Sequence, residues 1–210
     1  SNGKSPMMST EHFPQFKSAL KFSLDFPHES FDFEKDILIY DRHLSNVGAD
    51  SVISLFKNRY AVSAGESLKQ LSTLEGHLQN IMKLAQPTLT RNHRLIAMGG
   101  GSVGDFVGFV ASILKRGVRW VGVPTTWLAA IDSAHGGKTA LNFANSKNQL
   151  GTFYPAQEVI LVKSLLSQQP EERAREAMGE LLKMAWISGE SLFAQLEQML
   201  SLKLADILWR

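Results

Sequence analysis

The run Met98-Gly99-Gly100-Gly101-Ser102-Val103-Gly104-Asp105 sets a glycine turn between two segments of different periodicity. Before it stands Leu95-Ile96-Ala97-Met98, a short apolar run that reads as a buried strand. After it, Val103, Phe106, Val107, Val110, Ile113 and Leu114 recur at helical spacing. Strand, glycine turn and helix in this order bring backbone N–H groups and a helix N-terminus up to a pyrophosphate. Gly99, Gly101 and Gly104 satisfy G-x-G-x-x-G, where a Cβ would obstruct both the tight turn and the close approach of a ligand.

An ordinary dinucleotide fold places an acid about 20 residues further on, at the end of the next strand. Here that strand, Arg119-Trp120-Val121-Gly122-Val123, ends in Pro124-Thr125-Thr126. The strand-end acid lies upstream instead, at Asp41 after Asp36-Ile37-Leu38-Ile39-Tyr40. This argues against an ordinary dehydrogenase.

Around this unit, residues 18–26, 36–41 and 60–63 read as strands. Ser67 to Leu84 reads as an amphipathic helix carrying Leu68, Leu71, Leu74, Leu78, Ile81 and Met82. Residues 95–123 form a strand–helix–strand crossover of the length parallel pairing needs. The fold expected is therefore α/β, a Rossmann-like domain. After about residue 165 the strands stop, and helices are expected from Glu171 to Ile187 and from Ser191 to about Leu204. The organisation expected is a tag-like, disordered start over 1–10, a nucleotide-binding α/β domain over 11–168, and a truncated helical domain begun over 169–210.

Apolar residues make up 44% of the chain, enough for a sizeable core, and the formal charge of +2 comes from scattered residues. No nucleic-acid or membrane partner is expected. With no cysteine there is no disulfide framework and no thiolate metal site. No run reaches transmembrane length and no signal-like segment stands at the start, so the cytoplasm is the expected compartment.

Between Pro124 and Asn148 the chain carries Thr125, Thr126, Asp132, Ser133, His135, Lys138, Thr139, Asn142, Lys147 and Asn148 around Gly136-Gly137. Their spacing is not helical, and the stretch reads as a binding loop on a rigid sheet.

The chain carries GGGSVGD at 99–105, KRG at 115–117, PTT at 124–126, DSAHGGKT at 132–139, KNQLGTFY at 147–154 and GELLK at 179–183. In their order, over roughly residues 36 to 190, these motifs give the chain a resemblance to the 3-dehydroquinate synthases of the shikimate pathway. It implies an NAD-binding domain followed by a helical metal domain, in a lyase that also needs zinc or cobalt. The reaction implied is cyclisation of a phosphorylated sugar acid, 3-deoxy-arabino-heptulosonate 7-phosphate, to 3-dehydroquinate and phosphate. A homodimer is implied as well.

By position, the resemblance assigns Asp41, Glu66, Lys69, Gly100, Gly101, Ser102, Asp105, Thr125, Thr126 and Lys147 to the cofactor. It assigns Arg116, Asp132, Lys138, Asn148 and Lys183 to the substrate and Glu180 to the metal. The family's two histidine metal ligands have no counterpart up to Arg210, so this chain alone is expected to be inactive. Other readings are a related sugar-phosphate cyclase, or a non-catalytic NAD-binding module that has lost its metal site.

Each residue also has a plainer reading. Asp105 could cap its helix, Arg116 could be a cation at a helix C-terminus, and Glu66 with Lys69 could be a surface pair. The chain departs from the family at His135, His43, Lys163 and Gln168.

Overall fold

A computed structural model of the chain describes residues 18–47, 49–134 and 138–166. Its strands are β1 (Ala19–Ser23), β2 (Ile37–Asp41), β3 (Asn58–Val62), β4 (Arg94–Gly99), β5 (Arg119–Pro124), β6 (Lys138–Phe143), β7 (Ser146–Phe153) and β8 (Glu158–Val162). Its helices are α1 (Asp50–Ile53), α2 (Leu71–Leu84), α3 (Gly101–Ile113), α4 (Trp127–Ala134) and α5 (Lys163–Leu166). Six strands form one sheet in the order β1-β8-β5-β4-β2-β3, with every neighbour parallel. β6 and β7 form a separate antiparallel hairpin. The α/β architecture is the one expected, and β4–α3–β5 is the expected crossover, with Leu95 opposite Trp120 and Met98 opposite Val123. Among the described residues no helix is long and apolar enough to cross a membrane.

Period-two alternation gives the sheet two buried faces. Ile37, Ile39, Leu95, Ala97, Val159 and Leu161 pack under α2 and α3, against Leu74, Ile81, Phe106, Val107 and Val110. Leu38, Ile96, Met98, Val121, Val123 and Ile160 face the other way, against Ala49, Ile53, Phe56 and Phe26. Neighbouring strands β2 and β4 thus send their chains to opposite faces, one to α1 and one to α3. In an open α/β sheet that divergence opens a crevice outside the carboxyl ends of the two strands, where ligands bind. At the opposite edge, Arg94 holds Asp36 through Nε at 3.1 Å and Nη2 at 2.6 Å, fixing the starts of β4 and β2 together.

Three details differ from the sequence reading. The helix expected from Ser67 begins at Leu71, because Glu66–Lys69 forms a 3-10 turn and Gln70 is extended (φ −78, ψ 130). The binding loop expected between Pro124 and Asn148 is largely regular: α4 first, then the β6–β7 hairpin. Leu128-Ala129-Ala130-Ile131 suits a helix, and Thr126 Oγ1 caps it by accepting the Ala129 N–H at 3.1 Å. The hairpin escapes notice because β7 is exposed along nearly its whole length, so no alternation marks it. Its tip turns through Ala144 (φ 50) and Asn145 (φ 61), the left-handed pair a two-residue hairpin loop needs. Strand β8 at 158–162, within the sheet, is an addition to the expected strands.

The hairpin docks on α3 where that helix has no side chain. A Cβ on Gly108 would lie 2.5 Å from Thr139 Cγ2 and 3.0 Å from Trp120 Cζ2. The expected helices after residue 169, with Lys183 and Glu180, lie outside the described residues, as do residues 1–10 and His135.

Gly108→Ala is expected to lower the unfolding free energy by about 1–3 kcal/mol, because β6 and Trp120 must move away from α3. A Cβ on Gly76 of α2 would have nothing within 4 Å. Gly76→Ala should therefore raise stability by up to about 1 kcal/mol. Urea midpoints of the two variants moving in opposite directions would verify this.

Candidate functional site

The carboxyl ends of β2, β3, β4 and β5 bring most of the predicted residues to one edge. Asp41 is the last residue of β2, and its Oδ1 accepts the His43 N–H at 3.0 Å. Beyond β3, Gly65 takes φ 116, a conformation open chiefly to glycine, and starts the turn that carries Glu66 and Lys69. The Gly65 N–H donates to Ser102 Oγ at 2.9 Å, joining this turn to the start of α3. Beyond β5, the Thr125 N–H donates to Gly99 O at 2.9 Å, which holds the Thr-Thr pair against the glycine turn.

The glycines divide their work differently from the expected pattern. None of Gly99, Gly100, Gly101 or Gly104 has a positive φ. Gly99 provides close packing, since its Cβ would meet Val103 Cβ at 2.9 Å. A Cβ on Gly100 would lie 3.5 Å from Thr126 Cγ2, while Gly101 and Gly104 have nothing within 4 Å. Gly101 therefore leaves open space in front of the α3 N-terminus, whose cap residue Gly100 offers no side chain. A helix start of this kind can receive an anion.

Lys69 is the central cation. Its side chain is 6% exposed, and its Nζ donates to Asp105 Oδ2 at 2.9 Å and to Asn148 Oδ1 at 2.6 Å. Asp105 thus answers Lys69 from inside α3, whose N-cap residue is Gly100. Glu66 and Lys69 are not a surface pair: Glu66 Oε2 instead accepts from Asn142 Nδ2 at 2.8 Å. Asn142 Oδ1 accepts the Asn148 N–H at 3.1 Å, and Asn148 has φ 55. Glu66 is held below its ordinary value of 4.5, first by the Asn142 hydrogen bond and then by the charges of Lys147 and Lys69, against a desolvation effect that raises it.

Asn142 stands in the stretch read as a binding loop, but the resemblance assigns it no role. Its signal is a polar side chain between Leu141 and Phe143, in a segment that does not read as a strand. Asp132 lies on α4 and Lys138 opens β6; their side chains lie outside the described set. Arg116 stands apart. It follows the C-terminal end of the 13-residue α3, about 20 Å along the helix from the glycine turn, and it and Lys115 take φ 65 and 51. Among the described residues no group of three or more His, Cys, Asp or Glu could hold a metal ion.

The family model of the 3-dehydroquinate synthase N-terminal region matches residues 59–176, more than half of the chain. The chain belongs to the 3-dehydroquinate synthase family. It is 36% identical over 164 residues to the 3-dehydroquinate synthase of Alkaliphilus metalliredigens (strain QYMF), covering 76% of this chain and 45% of that protein. It is 41% identical over 137 residues to that of Clostridium perfringens (strain SM101 / Type A), covering 65% and 38%. The chain thus spans less than half the length of these relatives. A solved structure of 2-deoxy-scyllo-inosose synthase with carbaglucose-6-phosphate, NAD+ and Co2+ superposes with a TM-score of 0.62 at 29% identity, over 78% of this chain and 48% of that one.

A depressed folded-state value means that the stability contributed by the Glu66 carboxylate is complete above its ordinary value of 4.5 and is lost as pH falls through the folded value. The stability difference between the chain and its Glu66→Gln variant should therefore stay constant above about pH 5.5 and shrink under acid. Denaturation series across that range measure it, and a difference that grew toward acid would contradict the assignment.

Proposed function

We propose that the chain is the nucleotide-binding part of a 3-dehydroquinate synthase, the domain extending over 11–168 and a helical domain beginning at 169. The observation that carries the reading is the crevice between β2 and β4. It sets the Asp41 carboxylate, the open space before Gly101 and the Lys69 cluster along one edge. This is the place and chemistry a dinucleotide requires: an acid for ribose hydroxyls and N–H groups for a pyrophosphate.

In this reading Asp41 and Glu66 accept hydrogen bonds from ribose hydroxyls, and the ionised state of Glu66 suits it to accept. The N–H groups at Gly101 and Ser102 face the pyrophosphate, with Gly100, Thr125 and Thr126 shaping the wall beside them. Lys147 adds positive charge at the Glu66 side. Asp105 and Asn148, both on Lys69, lie further along, where the nicotinamide and the substrate would meet. NAD, when bound, supplies a transient hydride acceptor. Lys138, Lys183 and Asp132 are assigned to the substrate on the resemblance. Arg116, a helix length from the crevice, suits a site completed by a second copy of the chain, in keeping with a homodimer.

The divalent metal, zinc or cobalt, belongs to the same proposal through Glu180, which lies outside the described residues. No step is assigned to it. The substrate proposed is 3-deoxy-arabino-heptulosonate 7-phosphate, in a cytoplasmic enzyme. The likeness to 2-deoxy-scyllo-inosose synthase favours a second reading, a related cyclase acting on another sugar phosphate. Product analysis of the longer protein with each substrate separates the two.

Calorimetric titration of the chain with NAD tests the crevice. Gly101→Val is expected to abolish measurable binding while leaving the unfolding midpoint close to that of the unsubstituted chain, because a Cβ at Gly101 has no protein atom within 4 Å. Undiminished affinity in the variant would place the cofactor elsewhere.

A further inference from the structure

Asn142 stands between the two halves of the crevice. It is 5% exposed and spends both ends of its amide: Nδ2 donates to Glu66 Oε2 at 2.8 Å, and Oδ1 accepts the Asn148 N–H at 3.1 Å. Asn148 in turn accepts from Lys69 Nζ at 2.6 Å, and Lys69 shares the 3-10 turn with Glu66. The four residues close a ring, two from the turn after β3 and two from the hairpin. The pairing of β6 with β7 shifts register between Leu141 and Phe143, and Asn142 bridges to Gln70 instead, so its backbone faces the turn as well.

We propose that Asn142 is a positioning residue that couples the cofactor side of the crevice to the substrate side, by orienting the Glu66 carboxylate and holding Asn148 in its left-handed conformation. The proposal rests on reading the crevice as a dinucleotide site. Neither neighbour tolerates a flipped amide, since the oxygen would then face a carboxylate and the NH2 an N–H. Aspartate matches the shape and keeps the acceptor for Asn148, but it has no donor for Glu66. Leucine matches the volume and provides neither. Among the described residues, the charged groups facing Glu66 are Lys147 from β7 and Lys69 from its own turn, with Asp105 of α3 beyond Lys69. These cations help keep Glu66 ionised, and the Asn142 bond is the leading cause of its lowered pKa.

Asn142→Asp sets two carboxylates within hydrogen-bond reach, and such a pair holds on to one proton. At about pH 8, where both are ionised, NAD affinity relative to the unsubstituted chain should fall by about tenfold to a hundredfold, the loss of a charge-assisted hydrogen bond. At more acid pH, where the pair retains one proton, that proton restores a donor and the deficit should narrow. Asn142→Leu should lose affinity alike at both. A deficit independent of pH and equal in the two variants would reduce Asn142 to packing and overturn the proposal.

Carboxyl carbon titration of Glu66 by NMR, without NAD, reads the same coupling. Glu66 should titrate below its ordinary value in the unsubstituted chain and higher in Asn142→Asp. If the unsubstituted chain binds no NAD, the dinucleotide reading fails, while this titration still decides the role of Asn142. Should Asn142→Asp not fold, the exchange of donor and acceptor in Asn142→Asp with Glu66→Gln is expected to restore folding. If that double variant also fails to fold, the hydrogen-bond account is overturned.

Discussion

A buried ammonium holds the functional edge of this domain together. Taking a lysine out of water is costly unless its charge is answered and its donors are used. Lys69 has its charge answered by Asp105 on α3 and places a second donor on Asn148 of β7. The turn after β3, the glycine-turn helix and the hairpin thereby meet at one group, beside the Gly65–Ser102 and Asn142–Glu66 bonds. The docking of β6 at Gly108 supplies the close approach that makes this possible. Without it the hairpin would stand away from α3, and neither Asn148 nor Asn142 would reach the turn.

Sheet order explains the misplaced acid. In an ordinary dinucleotide fold the acid ends the strand reached after the glycine-turn helix. Here β5 ends in Pro124-Thr125-Thr126, yet β4 has a second neighbour, β2, with Tyr40 opposite Met98. That register sets Asp41 level with the glycine turn. An acid that precedes the turn in sequence by many residues thus borders the same crevice, from the other side of the strand.

The sheet is legible in the sequence where local signals are strong. Apolar runs mark β2, β4 and β5, and the glycine turn marks the start of α3. Asp105 and Lys69 are legible as functional residues by motif, but their mutual ion pair is not, because it joins residues distant in sequence through tertiary packing. The hairpin reads as a loop for a physical reason: exposed on most sides, β7 has no buried face to impose alternation. Asn142 is legible there as one polar residue among several, and its burial and partners become informative only once its strand is known. Arg116 matches its motif and still lies away from the crevice, because a motif records order along the chain and not position across a helix.

The central claim is that the cofactor lies outside the carboxyl ends of β2 and β4. Mapping amide chemical-shift changes on addition of NAD to the isotope-labelled chain tests it most directly. The account predicts the largest changes at Asp41, at Gly65 to Lys69, at Gly99 to Asp105 and at Thr125 and Thr126, with little change around Arg94 and Arg119 at the opposite edge. Changes concentrated at that opposite edge, with the glycine turn unmoved, would contradict it.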